Sequence, residues 1–297
     1  MAVPQQYYEA GRIASEARNR AEKAVRPGMK VLEICEAVEG FMRERGARPA
    51  FPCNVSLNEV AAHYTADFDD STVVQEGDVV KIDLGAHLDG YLVDTAVTVC
   101  LNPAYEELTR ATRTALEEAI RASKEGIRVG EIGRVIASVA EQWGFRPISN
   151  LSGHSIERFV VHAGTSIPNV WVPGTPELKA NAVYAIEPFL TAQSSYGRVA
   201  EGRARNIYSL IARRPSGDRA ADRFAETVWD EYRTLPFAPR YFAGEYGKEE
   251  MEGILRRLLG KKILRVYPEL VEPSGKMVAQ FEHTMVLTAA GPVVLTQ

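Results

Sequence analysis

GDVVKIDLGAHLDGYLVDTAVTV, residues 77–99, holds two β-rich runs joined at Asp89-Gly90, a pair that favours a hairpin turn. Each run carries an acid where strands disfavour one, Asp83 in the first and Asp94 in the second. Folding the chain at the turn sets 83 and 94 nearly opposite, and cross-strand neighbours have Cβ atoms roughly 4.5–5.5 Å apart. Two carboxylates that close repel unless they share a proton or a cation. A lone aspartate at a strand end can cap a turn, so the pair carries the signal.

The pattern occurs again further along. VYAIE (183–187) matches VVKID (79–83) carboxylate over carboxylate, at an offset of 187 − 83 = 104 residues. The run Glu282-His-Thr-Met-Val-Leu resembles Asp94-Thr-Ala-Val-Thr-Val, an acid leading a β-branched and apolar stretch. Helices repeat as well. Apolar spacing predicts helices over 4–24 and 31–45 (Val31, Ile34, Val38, Phe41, Met42), broken at Pro27-Gly28. The same spacing predicts 104–124 and 130–142, with Leu108, Ala111, Ala115 and Ala119 on one face. Gly46-Ala-Arg-Pro49 follows the first pair, and Gly144-Phe-Arg-Pro147 the second. A duplicated unit of helices and strands implies two halves related by a pseudo-twofold axis, with their acids converging on one centre.

One segment breaks the symmetry. The acids are 11 residues apart in the first half (83, 94) but 95 apart in the second (187, 282). The excess lies in 193–262, with helical stretches expected at 218–233 and 247–259. Residues 194–262 hold 14 Lys/Arg against 10 Asp/Glu, a mixed pattern that reads as a solvated helical insertion subdomain. It would sit within a single catalytic domain spanning 1–297.

Glu187 in YAIEPF and Glu282 in AQFEHT pose the same question as the aspartates, because a glutamate in an apolar strand needs a partner and few basic residues lie nearby. Four inward carboxylates are best neutralised by multivalent cations. His154, in Leu-Ser-Gly-His-Ser, adds a nitrogen donor. This sulfur-free set suits Mn, Fe or Co, with Zn also compatible, and several bridging donors can hold two ions about 3.5–4 Å apart. The alternative is a structural salt-bridge network. Taken alone, His63 (AAHYT) and His162 (VVHAG) read as satisfied core histidines. His87 near the turn is assigned nothing, and alternation points His283 away from the acids. No GxSxG, P-loop, strand-borne GxGxxG or HExxH is present.

Composition excludes other classes. A net charge of −4 gives no electrostatic reason to expect DNA or an anionic membrane as partner. No apolar run approaches the roughly 20 residues of a membrane span, and the polar N-terminal stretch lacks a signal-peptide core. The three cysteines (35, 53, 100) are widely spaced and form no CxxC, so no disulfide framework is indicated. A cytoplasmic location is expected.

The spaced phrases resemble methionine aminopeptidase of type 2, in its archaeal form without a long charged N-terminal extension. They are PAFPCNVSLNEVAAHYT (49–65), residues 77–99, NLSGHSIERFVVHAG (150–164), YAIEPF (184–189) and YPELVEPSGKMVAQFEHT (267–284). Resemblance covers nearly the whole chain, and LSGHSI with the long insertion separates it from type 1, prolidase and aminopeptidase P. It implies the pita-bread fold: an α+β pseudo-twofold curved antiparallel sheet flanked by helices. It further implies two divalent metal ions (Co, Mn, Fe or Zn) held by Asp83, Asp94, His154, Glu187 and Glu282, with Asp94 and Glu282 bridging.

The resemblance also reverses the reading of His63 and His162, which match substrate-contacting histidines, and matches Phe51 and Phe189 to the methionine pocket. Glu187 would be the proton acceptor in attack by a metal-activated hydroxide. The implied substrates are nascent polypeptide N-termini carrying Met before a small residue. A monomer is expected, with ribosome contact left open. The competing class is a non-enzymatic protein on the same fold that binds ribosomes or RNA through the basic insertion.

Overall fold

The computed structural model describes residues 3–288 and 290–297. Its central sheet runs, in spatial order, through strands Arg48–Pro49, Val79–Leu88, Tyr91–Cys100, Glu282–Thr288, Val183–Ile186, Ser152–Ile156 and Ser166–Pro168. Asn54–Leu57 and Gly291–Val294 pair alongside, and all pairings within this sheet are antiparallel. Val79–Leu88 and Tyr91–Cys100 form the expected hairpin around Asp89 and Gly90, both at positive φ (52° and 82°). The strands of the first half meet those of the second where Tyr91–Cys100 lies against Glu282–Thr288. The two acid-bearing strand pairs are therefore neighbours at the middle of one sheet, as the repeat implied.

Helices α1 (Gln5–Ala24) and α2 (Val31–Glu44) form within one residue of expectation, as do α3 (Glu106–Ala122) and α4 (Val129–Gln142) within two. Their apolar faces bury Ile13, Ile34, Leu108, Ala115 and Ile132 against the sheet in one core cluster that includes Ile82, Leu92, Ile186 and Met285. Helices pack on one face, which leaves the opposite face free for a site. No described helix is long and apolar enough to cross a membrane.

Helices α5 (Arg219–Tyr232) and α6 (Lys248–Gly260) form in the predicted insertion. With the paired strands Ile207–Leu210 and Leu264–Tyr267 they enclose a separate core of Phe224, Phe237, Phe242, Met251 and Leu258. Three aromatic rings, Phe237, Phe242 and Tyr246, stand at centroid distances of 4.9–5.9 Å around Phe224. These residues are folded on their own apolar contacts, apart from the core beneath the central sheet.

Candidate metal centre

Strand register places all five expected donors. Asp83 stands opposite Ala96, and Ala96 is also opposite Glu282 on its other side. His283 pairs with Ile186, so the register carries Glu282 on to Glu187. Two positions along, Asp94 is opposite Gly85, and His154 is opposite Ala185, which pairs with Thr284. Two adjacent rows thus share one sheet face: Asp83, Ala96, Glu282 and Glu187 in one; Gly85, Asp94, Thr284, Ala185 and His154 in the other. Between the donors stand glycine, alanine and threonine, whose short side chains leave a depression in the sheet.

The hairpin register corrects one expectation. Asp83 and Asp94 are diagonal neighbours rather than nearly opposite, because the turn pairs Leu88 with Tyr91 and so offsets the acids by two positions. A diagonal pair still shares a face, and its atoms stay within reach of a common cation.

The seam between the halves is stitched by hydroxyls. Asp94 N–H donates to Thr284 Oγ1 (2.7 Å) and that hydroxyl donates to Asp94 O (2.7 Å). Thr95 Oγ1 donates to Glu282 O (2.8 Å), and Thr98 Oγ1 donates to Gln280 O (2.6 Å). These fix the backbone of two acids contributed by different halves. On the far face, His283 points away as expected, its Nδ1 within 3.2 Å of Arg18 Nη1 and 3.0 Å of Thr296 Oγ1.

His154 Nε2 lies 3.6 Å from Asp94 Oδ2 and 3.5 Å from Glu187 Oε1. Donor atoms of Asp94, His154 and Glu282 all fall within 4.8 Å of one another. Buried oxygens of Asp83 (Oδ1), Asp94 (Oδ1) and Glu282 (Oε1) have no hydrogen-bond partner among the described residues. Burial pushes Asp83 well above the usual carboxylate range, reinforced by Asp94, and does the same to Glu187 and Glu282 with their acidic neighbours adding. Burial raises Asp94 to about 7. Burial lowers His154 to about 4, so its imidazole is neutral and available as a donor. Four crowded carboxylates, three of them with an orphaned oxygen, beside a neutral imidazole, match the needs of divalent cations and have no counter-ion among the described residues.

A cavity of about 210 Å³ opens over these rows. Phe51, Phe189, His63 and His162 all line it, which brings every sequence-predicted pocket residue to one place. His162 stacks edge-on against His154 with ring centroids 4.4 Å apart. Burial lowers His162 to about 3, with His154 and Arg265 adding, and lowers His63 to about 4, with His162 adding. His63 sits at φ 63°, a left-handed conformation uncommon for non-glycine residues, and its buried Nδ1 has no partner. Two glycines explain close approaches. A Cβ at Gly85 would lie 2.5 Å from Phe51 Cε1, and one at Gly153 would lie 2.3 Å from Ala185 O.

Several residues at the site, in its lining or against its acids, went unnoticed in the sequence. Asn54 stands in register with Asp83 at the end of its row, and its buried Oδ1 has no partner. Gln280 Nε2 donates to Asp83 Oδ2 at 3.4 Å. Asn150, Ile207, Pro236 and Tyr267 complete the wall, the latter three from the insertion and its flank. Only Asn54 carried a local signal, as the polar residue that opens the strand phrase NVSL; the others reach the site through non-local pairing.

Comparison with known proteins agrees with this geometry. Residues 5–289 match the family model described as metallopeptidase family M24. A methionine aminopeptidase of Pyrococcus horikoshii is 44% identical over 290 residues, 97% of this chain and 98% of its own length. One from Methanocaldococcus jannaschii is 42% identical, with 97% of each chain covered. The crystal structure of a methionine aminopeptidase from Thermotoga maritima superposes with a TM-score of 0.71 at 24% identity, over 99% of this chain and 97% of that one, and shares the pita-bread fold. Full-length matches of this strength, on a buried carboxylate–imidazole cluster, place the chain in metallopeptidase family M24, among its archaeal-type methionine aminopeptidases.

Proposed function

We propose that this chain removes the N-terminal methionine from nascent proteins whose second residue is small, using two divalent ions held by Asp83, Asp94, His154, Glu187 and Glu282. The observation that carries this reading is the cluster of buried, raised-pKa carboxylates around a neutral His154, opening into an apolar-walled cavity. Ions bound there supply Lewis acidity, which brings the ionisation of water toward neutral pH and polarises the scissile carbonyl. Co, Mn, Fe and Zn all suit the donor set.

The protein groups then divide the work. Glu187, at the edge of its row and 13% exposed, takes the water's proton at its carboxylate and returns it to the leaving amine. His63 and His162, neutral at working pH because burial holds both well below the usual imidazole value, donate N–H groups to the peptide carbonyl and the adjoining amide. One such donor contributes roughly 3–4 kcal/mol at the transition state. Phe51 and Phe189 give the methionine pocket an apolar wall suited to an unbranched thioether. His63 also crowds the space beyond the scissile bond, which favours Gly or Ala in second position. Residues 193–262 act as a helical insertion subdomain that supplies one side of the cavity, and the protein works as a cytoplasmic monomer where N-termini emerge.

The test is peptide specificity. Metal-reconstituted protein should cleave Met-Gly and Met-Ala peptides and leave Xaa-Pro peptides intact. Hydrolysis of Xaa-Pro alone would overturn the assignment. RNA binding with a steep salt dependence and no peptidase activity would favour the binding-protein reading instead.

A further inference from the structure

We propose that the groove leading away from His162 binds the substrate chain just downstream of its second residue, and that Arg265 selects acidic side chains there. This rests on the peptidase reading above. The groove is a second cavity of about 370 Å³. It shares Val161, His162, Pro236 and Tyr267 with the cavity over the carboxylates, so the two are continuous. A peptide whose methionine fills the first cavity has to leave past His162, and this is an open path from that point.

The groove is built rather than loose. Thr234 Oγ1 donates to Phe159 O (2.5 Å), Ile211 N–H donates to Ile263 O (2.9 Å), and Ser209 Oγ and Tyr267 Oη share a hydrogen bond (3.2 Å). Two of its wall residues, Val160 and Ile211, are 38% and 48% exposed. An extended chain laid along it would cover these apolar side chains, which water otherwise surrounds.

Charge gives the groove a preference. Arg265 is the one charged side chain in its described lining, and it is exposed. Arg158 and Arg205 each have a carboxylate partner, Asp89 at 2.5 Å and Glu201 at 3.2 Å. Arg265 takes part in no ion pair among the described residues. A planar guanidinium beside an extended peptide offers two parallel N–H donors to a carboxylate. Side chains alternate along an extended chain, so either the third or the fourth substrate residue faces it.

The experiment compares kcat/KM for Met-Ala-Asp-Asp-Ala and Met-Ala-Lys-Lys-Ala peptides on the metal-loaded full chain. The acidic peptide should be favoured about threefold to fivefold at low salt, the range of an exposed ion pair, with the ratio shrinking in about 0.5 M salt. Arg265→Glu should invert the ratio. Lys124→Glu, an equal charge change at an exposed position outside the groove, should leave it as in the wild type. Equal rates for the two peptides, or a ratio that Arg265→Glu does not move, would overturn the groove assignment while leaving methionine removal intact. Cleavage of neither peptide, nor of Met-Ala alone, would remove both assignments together.

Discussion

Two regions of this molecule bury carboxylates, and they solve the problem in opposite ways. Glu39 of α2, 2% exposed, is fully partnered from within. It accepts from Arg240 Nη2 (2.5 Å), Tyr241 Oη (2.8 Å) and the Cys53 N–H (2.9 Å). Burial raises its pKa, while Arg240, the Cys53 amide and Tyr241 all pull it back. The network joins α2, the segment before Asn54 and the insertion, and its geometry leaves little room for a ligand. At the sheet centre, Asp83, Asp94, Glu187 and Glu282 have no such cation among the described residues; Asp83, Asp94 and Glu282 retain orphaned oxygens, and Asp83, Asp94 and Glu187 line a cavity. A buried acid with its own counter-ion holds structure together; a group of acids without one is a place for something brought from outside.

Removing one acid from each region separates the two roles. Glu39→Ala should cost about 3–5 kcal/mol in denaturant unfolding, because it strands the buried Arg240 guanidinium, while metal content per folded chain stays as in the wild type. A loss below about 1 kcal/mol would show that water replaces the lost partner and that the network is not structural. Asp94→Asn or Glu282→Gln should instead lower kcat/KM by more than about a hundredfold with loss of bound metal. The metal-free variant should be at least as stable as the metal-free parent, since a carboxyl group whose charged form is penalised by burial is gone. Full activity and unchanged metal stoichiometry in either variant would contradict a shared dinuclear centre.

The pH dependence of metal-free protein sharpens the contrast further. Asp83, Glu187 and Glu282 are raised well above their ordinary values and Asp94 to about 7, so the folded state holds protons that the unfolded state has released. That contribution is present at low pH and is lost as pH rises through the folded values. The buried histidines act the other way. His154, His63 and His162, lowered to about 4, 4 and 3, contribute stability above their unfolded value near 6.5 and lose it as pH falls. The two effects oppose each other between about 4 and 6.5, so the informative window lies above 6.5, where buried Lys81, lowered to about 7, contributes alike with and without metal and cancels in the comparison. There, chelated protein should lose roughly 1 kcal/mol per pH unit for each carboxyl group still titrating, and metal-loaded protein should not. Thermal unfolding at pH 6.5, 7.5 and 8.5 with and without chelator checks this; parallel curves would mean that the acids ionise without a cation.

The same comparison explains what could be read from the residues. The central acids announced themselves because each interrupts an apolar strand phrase, and the repeat set Glu187 over Asp83, at an offset of 104 residues, and Glu282 over Asp94. Glu39 gave no such signal: an acid on a helix is ordinary, and its partner Arg240 lies 201 residues away. The diagonal placement of Asp83 and Asp94 depended on which residues close the Asp89-Gly90 turn, a one-step choice that the sequence pattern leaves open. His63 looked like a core histidine from its neighbours Ala61 and Ala62; its place on the cavity wall comes from a left-handed backbone and from packing on Tyr267, with ring centroids 5.9 Å apart. Local pattern reveals a misplaced charge well and reveals a partner from a distant strand poorly.

The most direct test is metal stoichiometry measured together with activity on Met-Ala peptide. Chelated protein titrated anaerobically with Mn, Fe or Co should take up two ions per chain, with cleavage appearing as they bind and lost again on chelation. Undiminished cleavage by protein shown to be metal-free, or no uptake at the buried acids, would contradict a centre built from Asp83, Asp94, His154, Glu187 and Glu282.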